Sequence, residues 1–226
     1  MSVRDSDAST RVRPGFSVLV VASLALTSAC TSPVGGHPAV GGVVQGTVAA
    51  TFLTLDEVSA LVGAPLASAD SVSEPPAALT SDPPTCAAAV GPATEAVYAR
   101  GWQRFGATSY QDSTAEHVVT QVLGVYPDQD TTQAAFRTLT DGVSQCPEAV
   151  RTNQDHSSAK WTYAVEGTAA DSVAWTATED AGDGWACFRE ARQKETALLE
   201  VSVCQAGNGK QAAQTIMERF AAKVNP

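Results

Sequence analysis

Positive charge is scarce in this chain: 14 Lys and Arg stand against 24 Asp and Glu, a formal net charge of -10. No run of basic residues gathers them into a patch. A surface of that sign repels phosphate backbones and anionic headgroups, so no nucleic-acid partner is expected. Histidine is scarcer still, with His37, His117 and His156 the three present, and no carboxylate-histidine-serine arrangement can be assigned among them. Signals for a nucleophile are missing: Gly142-Val-Ser-Gln-Cys146 ends in cysteine where a nucleophile elbow needs glycine, and it falls inside a helical pattern. Gly207-Asn-Gly209 lacks the spacing and third glycine of a phosphate-binding loop. Neither Asp128-Gln-Asp130 nor the stretch from Asp180 to Asp183 has the ligand spacing of an EF-hand. The cysteines lack paired short spacing, and neither His117 nor His156 stands beside one at zinc-ligand spacing. No catalytic residue, metal or cofactor is therefore expected, and no internal repeat is visible.

A long apolar run is also missing. Phe16 to Ala29 is too short for the ~20 residues that span a bilayer. Preceded by Arg11 and Arg13 and ending in Leu-Thr-Ser-Ala-Cys30, it reads as a secretory signal over residues 1–29. Small residues directly before a cysteine resemble a bacterial lipobox, although Thr27 stands where an aliphatic residue is usual. Acylation of Cys30 is the expectation, which would anchor the mature chain to the outer face of the cell membrane. The alternative is ordinary signal cleavage, with Cys30 left as a free thiol. Without the signal's three Arg and two Asp, the charge goes from -10 to -11, so acyl chains and not a basic patch would make the membrane tie. Residues 30–50 carry no charge and no hydrophobic period and read as a flexible tether, with His37 solvated inside it.

Residues 51–226 are enough for one core and few for two. Thr54 followed by Glu57 is a capping-box signature, Val58, Leu61 and Val62 supply an apolar face, and Gly63 stops the helix. Ala67 to Thr85, with two Pro-Pro pairs, is expected to be irregular, and Thr94 to Phe105 to be helical. His117 to Tyr126 is apolar on both faces and predicts a central strand. Asp130 is expected to cap a helix that buries Phe136, Leu139, Val143 and Cys146. Alternation at Trp161, Tyr163 and Val165, and again at Val173, Trp175 and Ala177, predicts two strands with one wet face each.

From Gly184 to Val224 the chain predicts a stapled hairpin backed by a helix. Ala197, Leu199, Val201 and Val203 share one side of a half-buried strand, and Leu198, Glu200, Ser202 and Cys204 share the other. A turn centred between Glu195 and Thr196 places Cys187 opposite Cys204. Four cysteines permit three pairings; this geometry favours Cys187 with Cys204, leaving Cys86 with Cys146. The helix offers Ala213, Ile216, Met217, Phe220 and Val224 as its buried stripe. The expected class is α+β: a single domain with a largely antiparallel sheet of about five strands, about four helices mainly on one side, and two disulfides. Trp102, Trp161, Trp175 and Trp185 are candidates to line a ligand cleft, weighed against ordinary core packing.

The lipobox-like Cys30, the tether, Leu53-Thr-Leu-Asp-Glu-Val-Ser-Ala-Leu-Val-Gly-Ala-Pro65, Pro83-Pro-Thr-Cys86, Val125-Tyr-Pro-Asp128 before a helix ending at Cys146, and then Cys187 and Cys204 form one ordered pattern. It resembles the PknH-like extracellular (sensor) domain, found as the outer part of a mycobacterial receptor Ser/Thr kinase and as the body of many actinobacterial lipoproteins. The resemblance implies an α/β domain with two disulfides paired as above and a cleft for an extracellular ligand. No kinase motif or membrane-spanning helix accompanies it here, so transmission of a signal would need a membrane partner. The expected function is a lipid-anchored, non-catalytic sensor-like domain binding an unidentified ligand in a cleft, the partner being a small molecule or a cell-envelope protein. Its cleft is expected between the sheet and the loops around Ala67 to Thr85 and Arg151 to Ser158. The alternative is a cell-envelope scaffold that binds a protein partner, with a hydrolase a distant third.

Overall fold

The computed structural model describes residues 46–99, 101–153 and 156–224. The signal, Cys30 and most of the tether lie outside the described residues. In chain order the elements are α1 (Gly46–Ala49), α2 (Leu55–Val62), β1 (Ala67–Val72), β2 (Thr80–Asp82), a 3-10 turn (Pro84–Cys86), α3 (Ala87–Val90), β3 (Arg104–Gln111), β4 (His117–Val125), α4 (Gln129–Ser144), β5 (Glu148–Thr152), β6 (Ser158–Thr168), β7 (Ser172–Glu179), β8 (Trp185–Lys194), β9 (Ala197–Ala206) and α5 (Lys210–Lys223). Gly46–Ala49 is thus helical within the stretch expected as tether, and its Val48 is buried.

The β8–β9 hairpin forms as its alternation predicts. Lys194 pairs with Ala197, leaving Glu195 and Thr196 as a two-residue turn in which Glu195 takes the positive φ of 51° that such tight turns require. Cys187 lies opposite Cys204 and is bonded to it with 3.9 Å between Cα atoms; Cys86 is bonded to Cys146 at 5.3 Å. α5 covers Ala197, Leu199, Val201 and Val203 with Ala213, Ile216, Met217 and Phe220, all buried. The reverse side is not wet, however: Leu198, Glu200 and Ser202 are buried as well. A strand expected to be half-buried is covered twice, because α4 and α3 lie over its other face, with Phe136, Leu139 and Val143 packed in the same cluster as Leu198. Helices therefore sit on both faces of the sheet, not mainly on one. We refer to the α5 face and the α4 face.

The sheet has nine strands in the order β1-β3-β4-β9-β8-β7-β6-β5-β2, every pairing antiparallel, where about five strands were expected. Both edge strands come from Ala67 to Thr85, whose Ser- and Asp-rich sequence hides strands that exist by pairing with β3 and β5. The helix expected over Thr94 to Phe105 is instead a run of turns leading into β3. Gly101 has φ 115°, outside any helix, and Trp102 and Phe105 meet with ring centroids 5.9 Å apart across that bend. α4 is capped two residues earlier than expected, by Asp128, which accepts from Thr131 N–H at 2.7 Å.

The chain joining the two edge strands limits the shape of the sheet. Val72 and Thr80 are eight residues apart, a reach of at most about 29 Å. Nine strands laid flat would set the edges about 38 Å apart. The sheet must curl around the α4 face, which the connecting chain crosses and where Leu79 packs. On the α5 face the N-terminal segment is held by one side chain. Buried Gln121 of β4 accepts from Leu53 N–H at 2.9 Å and donates Nε2–H to Leu53 O at 3.1 Å.

Candidate functional site

A groove opens beside α1 at the β1–β3 end of the sheet. Val48, Phe52 and Tyr110 line it from the α5 face, Phe105 and Ala107 belong to the α4-face core, and Ser71 and Thr108 add hydroxyls 3.0 Å apart. Its volume is about 370 Å³, within the range of small-molecule sites, and its mixture of aromatic surface and a few hydroxyls fits that use. Gly106 lets α1 approach: a Cβ there would stand 2.6 Å from Val48 Cγ1. Tyr110 donates its O–H to Leu53 O at 3.3 Å, which ties β3 to the segment that carries Phe52. A second hollow of about 230 Å³ shares Val48, Ser73 and Phe105 with the groove and adds Glu74, Trp102 and Arg104.

The structure does not gather the candidate tryptophans into one cleft. Trp102 lines the second hollow. Trp161 and Trp175 are 2% and 1% exposed and belong to the α4-face core, and Trp185 packs partly buried against the same cluster. The cleft expected between the sheet and the loops around Ala67 to Thr85 and Arg151 to Ser158 meets the groove in part. Ser71, Val72 and Ser73 line it, but among the described residues of 151–158 none does, because β5 lies at the other end of the strand order beside β2.

The α4-face interior carries charge. Arg189 alternates with Cys187 and Ala191, so the strand period turns it inward, and it is 3% exposed. Its Nη1–H donates to Ala89 O at 2.9 Å. Glu200, fully buried, accepts from Tyr98 O–H at 3.4 Å. Burial pushes the Glu200 carboxyl up to about 7, with the Arg189 charge and hydrogen bonds from Ala93 and Tyr98 pulling the other way. Burial likewise raises the Tyr163 phenol, opposed by Arg189 and Arg151. These inward charges were missed in the sequence. The sequence pattern set Glu200 and Cys204 on the side of a half-buried strand away from its apolar face, so nothing in it marked them, or Arg189 across from them, as inward.

His117 and His156 show no catalytic setting. His117 Nδ1 is 2.7 Å from Asp112, whose carboxyl falls below its ordinary range chiefly through that hydrogen bond. His156 occupies an exposed turn with φ 66°. Among the described residues no three His, Cys, Asp or Glu side chains are grouped to hold a metal, and no helix is long and apolar enough to cross a membrane.

The sequence pattern of the PknH-like extracellular domain matches residues 43–223. The chain belongs to that family. The crystal structure of the extracellular domain of PknH from Mycobacterium tuberculosis is similar to this PknH-like domain, with a TM-score of 0.71 and 22% identity. The match covers 80% of this chain and 96% of that one, and at that identity it establishes a shared fold. No curated protein matches the chain. The two disulfides of this PknH-like domain act at different ranges: Cys86–Cys146 joins the start of α3 to the end of α4, 60 residues on, and Cys187–Cys204 crosses the β8–β9 hairpin between paired residues.

Proposed function

We propose that this PknH-like extracellular domain is a non-catalytic binding module, held at the outer face of the cell membrane by acyl chains on Cys30. Residues 1–29 act as the signal, 30–50 as tether and 51–226 as the binding domain. The ligand is a small, largely apolar molecule received in the groove between α1 and β3. The observation that carries this reading is the groove itself: about 370 Å³, lined by Phe52, Phe105 and Tyr110 and by the Ser71–Thr108 hydroxyl pair. The family supports the outward-facing placement. The hydroxyls would orient the ligand while the rings supply contact area.

Mass spectrometry of the protein purified from its own kind of cell envelope tests both parts together. A covalent acyl mass on the Cys30 peptide is expected, along with a second, smaller mass that stays in the native spectrum and leaves on denaturation. An unmodified Cys30 would remove the lipid anchor. A native mass equal to the bare or acylated chain less four hydrogens, unchanged by denaturation, would remove the small-molecule reading and favour a module that recognises a protein.

A further inference from the structure

On the α4 face, four buried side-chain nitrogens donate to nothing among the described residues: Arg151 Nε, Trp161 Nε1, Trp175 Nε1 and Arg189 Nε. Register puts their side chains on one face. Ala149 pairs with Trp161, which sets Arg151 on the same side, and Trp175 pairs with Arg189. The Arg151 guanidinium lies 4.4 Å from the centre of the Trp161 ring, and that of Arg189 lies 5.9 Å from Trp175. Tyr163, between them on β6, feels both charges, and the two guanidiniums act on each other. No salt bridge among the described residues reaches either one. The carboxylates that act on them through space are Glu200 for Arg189 and Glu179 for Arg151, and neither makes a hydrogen bond to its arginine. Two like charges gathered with unmet donors and no bonded counter-ion are unfavourable unless something else supplies the acceptor.

We propose that this cluster is an oxyanion-receiving site, with Arg189 and the indole N–H groups of Trp161 and Trp175 at its base and Arg151 at its mouth. A carboxylate, phosphate or sulfate offers oxygens that match the planar guanidinium fork and leaves lone pairs for the indoles. The depth gradient fits entry from the β5–β6 end: Arg189 is 3% exposed, Tyr163 8%, and Arg151 is partly exposed. This site is carried by β5 to β8 and shares no residue with the proposed groove at β1 and β3, so the two stand or fall separately.

The test uses the four tryptophans as reporters. The disulfide-bonded protein, labelled with nitrogen-15 and held at fixed ionic strength, is titrated with phosphate, sulfate and acetate, with chloride as control. The indole N–H signals of Trp161 and Trp175 should move downfield and saturate, while those of Trp102 and Trp185 stay in place. The anion acting at the lowest concentration identifies whether the natural group is tetrahedral or a carboxylate. Arg151→Gln, at the partly exposed mouth, should keep the ligand-free signals of Trp102, Trp175 and Trp185, shift only that of Trp161, which it covers at 4.4 Å, and weaken binding at least tenfold. Several results would overturn the site: no saturable shift with any of the three anions, a response that chloride reproduces, movement of Trp102 instead, or an Arg151→Gln variant that titrates like the parent.

Discussion

The two faces of the central strands are built from one backbone yet bury different chemistry. Against α5 the sheet offers Ala197, Leu199, Val201 and Val203, and the helix answers with Ile216, Met217 and Phe220; the centre of that interface is hydrocarbon, with buried Gln121 and Glu190 beside it. Against α4 the same strands offer Leu198, Glu200 and Arg189, and the cover includes a phenol and carbonyl groups as well as Phe136 and Leu139. An apolar face gains stability simply by excluding water. A face with buried charge needs each polar group met, and it carries chemical specificity where they are not. The α5 face accordingly supplies much of the apolar burial, and the α4 face is where the fully buried Glu200 and Arg189 should register.

The largest effect should come from emptying the α5 face. Phe220→Ala removes a fully buried ring that packs 5.5 Å from Phe52, and should cost about 3–5 kcal/mol of unfolding free energy. Urea unfolding measures it, and a cost under ~1 kcal/mol would mean that the apolar face does not carry the fold.

The next effect belongs to the α4 face and depends on pH. Burial raises Glu200 from its ordinary 4.5 to about 7, so between those values the folded chain keeps a proton that the unfolded chain releases. Stability from this group is full below pH 4.5 and is lost as pH rises through about 7, on the order of 3 kcal/mol at most. Glu200→Gln should flatten that part of the stability curve. If the parent and variant curves run parallel from pH 4 to about 8, Glu200 is not the titrating group.

The smallest effect lies at the rim of the α5 face. Thr54 Oγ1 accepts from Glu57 N–H while Glu57 accepts from Thr54 N–H, closing the cap of α2. Thr54→Ala should cost about 1 kcal/mol. A loss as large as that of Phe220→Ala would show that α2 is integral to the apolar core and not a cover over its edge.

What could be read from the sequence follows the same division. Elements with a strong period were legible: α2 from its capping box, α5 from its stripe, β9 from strict alternation, and the Cys187–Cys204 pairing from the position of one turn. β1, with the sequence Ala-Ser-Ala-Asp-Ser-Val, and the three-residue β2 have no such signal, because edge strands take their conformation from a partner far along the chain. β3 was hidden by Trp102 and Phe105, whose spacing of three imitates a helix although they meet across a bend. The groove was half legible: Ser71, Val72 and Ser73 fall in a segment expected to border a cleft, while α1 and Phe52 close it from a stretch at the expected boundary between tether and domain. The α4-face charges were invisible because inward arginine and glutamate contradict the polarity rule that sequence reading relies on.

The pairings of the N-terminal segment also set an order of assembly. Leu53 is fastened by Gln121, Ser71 pairs with Thr108, and Thr80 with Thr152, so residues 53–82 have few partners close to them in the chain. Strands β6 to β9, by contrast, are joined to their neighbours in sequence by short turns and pair in consecutive order. Contacts across small separations close quickly and distant ones slowly, so the C-terminal meander forms the template and a segment made well before it is the last to find its place.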